Sequence, residues 1–265
     1  PPRVESDDPV DRRDDGLASL VPRNERRVFD MRRLVDAVVD HEPDGGSTFF
    51  EIGRGWGRSM ICGLARLDGW PVAVFAEDPK IYGGAWTADG CQKLIRLLDL
   101  ASTFHLPVVH LEDCPGFLIG KAAEDAATIR HGSRALVALG QLTTPFATVV
   151  VRKAFGVAGA ANRKPGSTHP RWAWPSGRWG SLPVQGGIEV AYKAELASLD
   201  PDAAAARVAE IRASLDRLSD PMRSAETFDI DDLIDPRETR PLLCRWAGLV
   251  ADVRGTGPVG FGYRP

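Results

Sequence analysis

With 265 residues, 43% of them hydrophobic, the chain has material for one large domain or two small ones around a buried core. Its 33 basic and 36 acidic side chains leave a formal charge of -3, which offers no electrostatic footprint for nucleic acid. No run approaches the roughly 20 apolar residues of a membrane span. The chain opens Pro-Pro-Arg and continues acidic, unlike a signal peptide, and Cys62, Cys91, Cys114 and Cys244 stand apart among apolar neighbours like reduced thiols, which points to the cytoplasm.

Residues 1–27 combine Pro, Asp and Arg with isolated apolar anchors, Leu17, Leu20 and Val21, and read as an extended surface arm ahead of a domain over 28–265. Asp30, followed by Met31, Leu34, Val35, Val38 and Val39, predicts a capped first helix that ends before the loop Pro43-Asp44-Gly45-Gly46. Gly53-Arg54-Gly55-Trp56-Gly57 imitates a dinucleotide fingerprint, but no helix opens on its last glycine, so it reads as a turn. Strand-like runs over 60–67 and 72–76 flank Asp68-Gly69, a dipeptide suited to the positive dihedrals of a two-residue hairpin. An amphipathic helix is expected from about 88 to 104, then a buried strand over 108–111 and a loop, Asp113-Cys114-Pro115-Gly116.

A second helix is expected over about 122–142, broken by Thr143-Thr144-Pro145, and a strand over 147–151 then leads into Arg152-Lys153-Ala154-Phe155-Gly156 as strand, tight turn, helix. Residues 163–187, with Trp172, Trp174 and Trp179, read as packed loop whose aromatics fill core. Asp200 and Pro201 open a helix over 201–218 whose mixed charge places it on the surface. This alternation predicts an α/β layered domain with working loops at strand ends.

The histidines His41, His105, His110, His131 and His169 show no i, i+4 pairing and no nearby cysteine set, so no metal is expected. There is no G-x-S-x-G elbow, and Cys114 has no identifiable histidine partner in sequence, so it reads as a structural thiol. Arg130-His131-Gly132 has two readings, a ligand contact or a local cap. The segment after Val151 also has two. A strand that ends in small residues before a helix leaves backbone N–H groups able to hold an anion, and losing one such donor costs about 10²-fold or more in rate. The same pattern fits an ordinary strand-to-helix junction.

Ordered along the chain stand Asp7-Asp8-Pro9-Val10-Asp11-Arg12-Arg13, Phe49-Phe50-Glu51-Ile52, Pro79-Lys80, Asp113-Cys114-Pro115-Gly116-Phe117, Ile129-Arg130-His131-Gly132, Arg152-Lys153-Ala154-Phe155-Gly156, Ala173-Trp174-Pro175 and Ile234-Asp235-Pro236-Arg237-Glu238-Thr239-Arg240. In these segments the chain resembles the C-terminal, biotin-facing half of the carboxyltransferase β subunits of propionyl-CoA and related acyl-CoA carboxylases. The resemblance implies an α/β crotonase-like fold, a spiral of ββα units. It also implies a reaction in which carboxybiotin, brought by a biotin carrier protein and charged by a biotin carboxylase, passes CO2 to the α-carbon of an acyl-CoA. The protein's part is positioning and backbone donors rather than a nucleophile or metal.

By the motif match, Gly156, Val157 and Ala158 are the oxyanion-hole residues, and Pro115, Gly116, Phe117, Phe155, Gly159 and Ala160 line the biotin and substrate site. Relatives carry a glycine where this chain has Val157, which would be strained there if the position needs a positive φ. Ala160 occupies a position linked to acyl-chain selection and implies room for a bulkier acyl group. Leu182-Pro183-Val184-Gln185-Gly186-Gly187 departs from the usual loop. The expected partners are an acyl-CoA-binding half on another chain or region, the carboxylase and the carrier, in a hexameric assembly. Two alternatives remain open: a biotin-dependent decarboxylase or transcarboxylase of the same superfamily, and a degenerate scaffolding subunit.

Overall fold

In the computed structural model, which describes all residues except 25, 161–167, 182–187, 189–190, 256 and 263–265, the described strands form one sheet. They are β1 (Phe50–Glu51), β2 (Met60–Leu67), β3 (Trp70–Glu77), β4 (Val108–Cys114), β5 (Phe146–Phe155), β6 (Arg171–Ala173), β7 (Arg178–Gly180) and β8 (Asp232–Leu233). The order is β1-β2-β3-β4-β5-β6-β8, with β7 paired further along β5. The β1/β2 and β2/β3 pairs are antiparallel, and every later pair is parallel. Asp68 (φ 50) and Gly69 (φ 73) make the predicted hairpin turn and pair Leu67 with Trp70.

Successive strand residues point to opposite faces, and both faces here are apolar. Val74, Ala76, Val109, Leu111 and Val149 pack under helix α1 (Met31–Val38) and the C-terminal helix Thr239–Leu249. Ala73, Phe75, Val108 and Phe146 pack under α2 (Ala88–Thr103) and α4 (Thr128–Gln141). Burial on two faces is what a parallel sheet requires. The caps lie where the residue types put them: Asp30 accepts from Arg32 N–H, Thr87 from Gly90 N–H, and Asp200 from Asp202 and Ala203 N–H. Helix Pro201–Leu218 buries only Ile211, as its mixed charge implied.

Four expectations are corrected. All seven residues of β4 are buried, so Asp113 and Cys114 belong to the strand and the loop begins at Pro115. β5 extends to Phe155, so Arg152 and Lys153 lie in the strand and the turn falls at Gly156, which opens α5 (Gly156–Ala160). The helix expected over 122–142 is two, α3 (Lys121–Asp125) and α4, separated where Ala127 takes a left-handed φ of 55. Within 163–187 the described part holds β6 and β7, while 163–167 and the divergent 182–187 lie outside the described residues.

The arm contains a 3-10 turn, Asp15–Ser19, and is pinned rather than loose. Leu17 is buried in the core, and the buried Arg240 reaches Asp8 and Pro9 carbonyls at 3.2 Å each, the Asp8 carboxylate at 3.2 Å and Asp40 at 2.9 Å. Among the described residues no helix is long and apolar enough to cross a membrane.

Candidate functional site

Strands β4 and β5 run parallel and end together, with Cys114 opposite Ala154. Each then turns through a glycine in the positive-φ region, Gly116 at 115 and Gly156 at 62. A Cβ on Gly116 would stand 3.7 Å from the Phe155 carbonyl, and one on Gly156 would stand 3.9 Å from Gly116 Cα, so the two turns touch. After Gly156 the chain folds back over β5 so closely that a Cβ on Gly159 would lie 2.5 Å from the Ala154 carbonyl carbon. Only glycine permits that approach.

The positive φ falls on Gly156 and not on Val157, which takes ordinary helical backbone in α5 and is 64% exposed. The β-branched residue is therefore accommodated without the strain considered from sequence. Gly156, Val157 and Ala160 line a cleft of about 700 Å³, together with Arg171, Trp179, Arg223 and Asp229. Ala158 does not line it. Its side chain is fully buried in the cluster that contains Cys114, and it has an interaction of its own. Phe155 and Gly159 are buried, and Pro115, Gly116 and Phe117 form the adjoining loop, which touches Gly156 through Gly116 but does not line this cleft.

Arg130-His131-Gly132 lies in the first half of α4. Gly132 receives the Phe117 ring, whose Cε1 would stand 2.3 Å from a Cβ there. Cys114 is fully buried, and burial pushes its thiol well above the ordinary range, which suits a structural role. Among the described residues no three His, Cys, Asp or Glu side chains form a metal-holding group.

A buried ionic layer that the sequence reading did not anticipate lies at the ends of β4 and β5. Asp113 accepts from Arg152 Nε at 3.1 Å and Nη2 at 2.7 Å, and from Lys153 N–H at 3.1 Å. Arg152 also donates to the Arg27 carbonyl at 2.8 Å, and Lys153 Nζ donates to the Gly83 carbonyl at 2.6 Å. Burial lowers the Lys153 amine, against the pull of Asp113. Glu112 meets Arg171 at 3.1 Å, and burial raises its carboxyl above the usual range. Burial alone would raise Glu77 as well, yet His110, the Asp113 N–H and the Trp86 indole outweigh it and hold that carboxyl low. Two consecutive acids, Glu112-Asp113, inside an apolar run were the available sequence signal.

A carboxyl transferase domain model matches residues 1–251. The propionyl-CoA carboxylase beta chain of Cereibacter sphaeroides is 34% identical over 237 residues, covering 88% of this chain and 44% of that protein. The methylmalonyl-CoA carboxyltransferase 12S subunit of Propionibacterium freudenreichii subsp. shermanii is 30% identical over 245 residues, covering 91% and 45%. Among solved structures, the transcarboxylase 12S hexamer with methylmalonyl-coenzyme A and methylmalonic acid bound superimposes with a TM-score of 0.84 at 27% identity, over 100% of this chain and 50% of that one. The chain thus spans about half the length of the relatives it matches.

Proposed function

The chain belongs to the carboxyl transferase domain family, and from that premise we propose that it is the biotin-facing half of an acyl-CoA carboxyltransferase, with residues 1–27 as the connecting arm. The observation that carries the reading is the pair of glycine turns at the ends of β4 and β5, with Gly156, Val157 and Ala160 opening onto one cleft. A cleft of about 700 Å³ falls within the 300–1,000 Å³ typical of small-molecule sites and has room for a bicyclic ring. Gly156 and Val157 stand in the first turn of α5, where backbone N–H groups lack helical partners and can face an oxygen that gains negative charge.

Carboxybiotin, delivered on a carrier protein charged by a biotin carboxylase, would supply the CO2 and then the base for the acyl α-proton. The chain's own residues orient, exclude water and donate hydrogen bonds. The Asp113–Arg152 pair is 0% and 4% exposed on its two side chains and fixes the end of β5 from below without entering the chemistry. An acyl-CoA-binding half, on another chain or in another region, completes the enzyme, and a hexamer like that named for the 12S structure is the expected assembly.

The test is transfer of labelled carboxyl from a carboxylated biotin carrier to acyl-CoA by the complete complex. Label appearing in the acyl-CoA product supports the reading. Label released only as CO2 would replace it with a decarboxylase, and no consumption at all in an intact complex would leave a scaffold. Because Ala160 leaves the cleft wall small, acyl groups longer than propionyl should be preferred. Ala160→Ile should then cut kcat/KM for long chains about 10- to 200-fold more than for short ones, as expected of apolar pocket discrimination. A strong short-chain preference in the unsubstituted protein removes this part of the proposal.

A further inference from the structure

The fully buried carboxylate of Glu77 has no part in the chemistry above, yet it bonds β4 directly, bonds the Trp86 segment that lies against the first glycine turn, and reaches β5 through Asp113. Its Oε1 accepts from the Trp86 indole Nε1 at 3.0 Å, its Oε2 accepts from the Asp113 backbone N–H at 3.0 Å, and His110 Nε2 lies 3.1 Å from each oxygen. Trp86 in turn grips the β4 turn. Its N–H donates to the Gly116 carbonyl at 3.0 Å, its carbonyl accepts from Leu118 N–H at 2.9 Å, and its ring meets Phe117 edge-on at 5.8 Å. Asp113 grips the end of β5 through Arg152 and the Lys153 N–H. The two gripped segments then meet where Gly116 lies against Phe155 and Gly156.

We propose that Glu77 is a positioning residue that sets the spacing of the Gly116 and Gly156 turns by holding Trp86 and Asp113 on separate carboxylate oxygens. The catalytic consequence rests on the reading of those turns as the transfer site; the spacing itself does not. A carboxylate is required because the two donors occupy different oxygens. Glutamine offers one acceptor oxygen and can keep one of the two bonds but never both. Bonds to a buried ionised acceptor are also the stronger kind.

Hydrogen exchange on the full-length protein, followed by kinetics of the complete complex, tests this. In Glu77→Gln the amides over 116–118 should exchange at least tenfold faster, while those of α2 over 94–98 stay unchanged. Transfer should lose roughly 10- to 100-fold in kcat with the acyl-CoA KM within about twofold, because misplacement of the turns costs transition-state rather than ground-state contacts. Trp86→Phe, which keeps a ring and loses the indole N–H, should reproduce the faster exchange, and the double variant should fall short of the sum of the singles. If Glu77→Gln does not fold, Trp86→Phe carries the test alone. Unchanged exchange over 116–118 overturns the proposal, as does equal acceleration through α2, which marks a purely structural residue, or a KM effect with kcat intact. Should the unsubstituted complex transfer nothing, the functional reading fails while the exchange data still decide this one.

Discussion

Gly156 bends β5 into α5 at a φ of 62, and a Cβ there would meet nothing closer than the Ser181 carbonyl at 3.7 Å. Gly156→Ala is therefore conformationally rather than sterically costly, by about 1–2 kcal/mol, which corresponds to roughly 2–8 °C in Tm. Calorimetry should show that loss, and transfer should fall at least about tenfold as the donors move. Glu77 makes a second prediction, on the pH axis. Its carboxyl is held below the ordinary value, so it stabilises the fold above the unfolded glutamate pKa of about 4.3 and loses that contribution as pH falls through its own lower value. Glu77→Gln should flatten the drop in Tm below about pH 4.3, and an unchanged acid slope would count against the assigned ionisation. The turn at Gly156 was legible from the run of small residues. The extension of β5 through Arg152 and Lys153 was not, because adjacent charges signal a strand's end unless their partner is known, and Asp113 lies 39 residues away from Arg152.

At the scale of elements, the arm, the end of α1 and the C-terminal helix converge on Arg240, 1% exposed, which donates to Val38, Pro9 and Asp8 carbonyls and pairs with Asp40 and Asp8. Removing one partner of such a buried set leaves uncompensated charge, so Arg240→Ala should cost about 3–5 kcal/mol. It should also free the arm, making residues 12–27 the first site of limited proteolysis. Cleavage that begins elsewhere would show that the arm is held by Leu17 instead. The sequence showed that the arm lacks helix or strand periodicity, but its anchor sits more than 200 residues further on and no local pattern reports it. The hairpin at Asp68-Gly69 was legible because its turn chemistry is local. The break at Ala127 was not, since an Ala-rich stretch favours continuous helix and alanine carries no preference for the left-handed φ of 55 found there.

For the molecule as a whole, the share of its relatives' length that the chain spans meets a feature of its surface. Large apolar side chains stand exposed beside the paired turns: Ile119 is 85% exposed, Tyr82 67% and Val157 64%. Tyr82 opens a 3-10 turn whose Gly84 runs so close to β4 that a Cβ there would lie 2.6 Å from the Asp113 carbonyl oxygen, and Ile119 lies two residues beyond Phe117 where the chain leaves the β4 turn. Exposed apolar groups clustered next to a site mark a surface that another body covers, and the proposed acyl-CoA-binding half is the body that would close the cleft. Burying one isoleucine contributes about 1.5–3 kcal/mol, so Ile119→Asp should weaken association with that half by about 10- to 150-fold. Because the side chain touches little within the chain, the isolated protein should keep its stability within about 0.5 kcal/mol. Sedimentation velocity of the mixed halves measures the first quantity and thermal unfolding the second. Association unchanged by the aspartate would place the contact surface on another face, whereas loss of both association and fold would show that Ile119 supports the β4 turn itself.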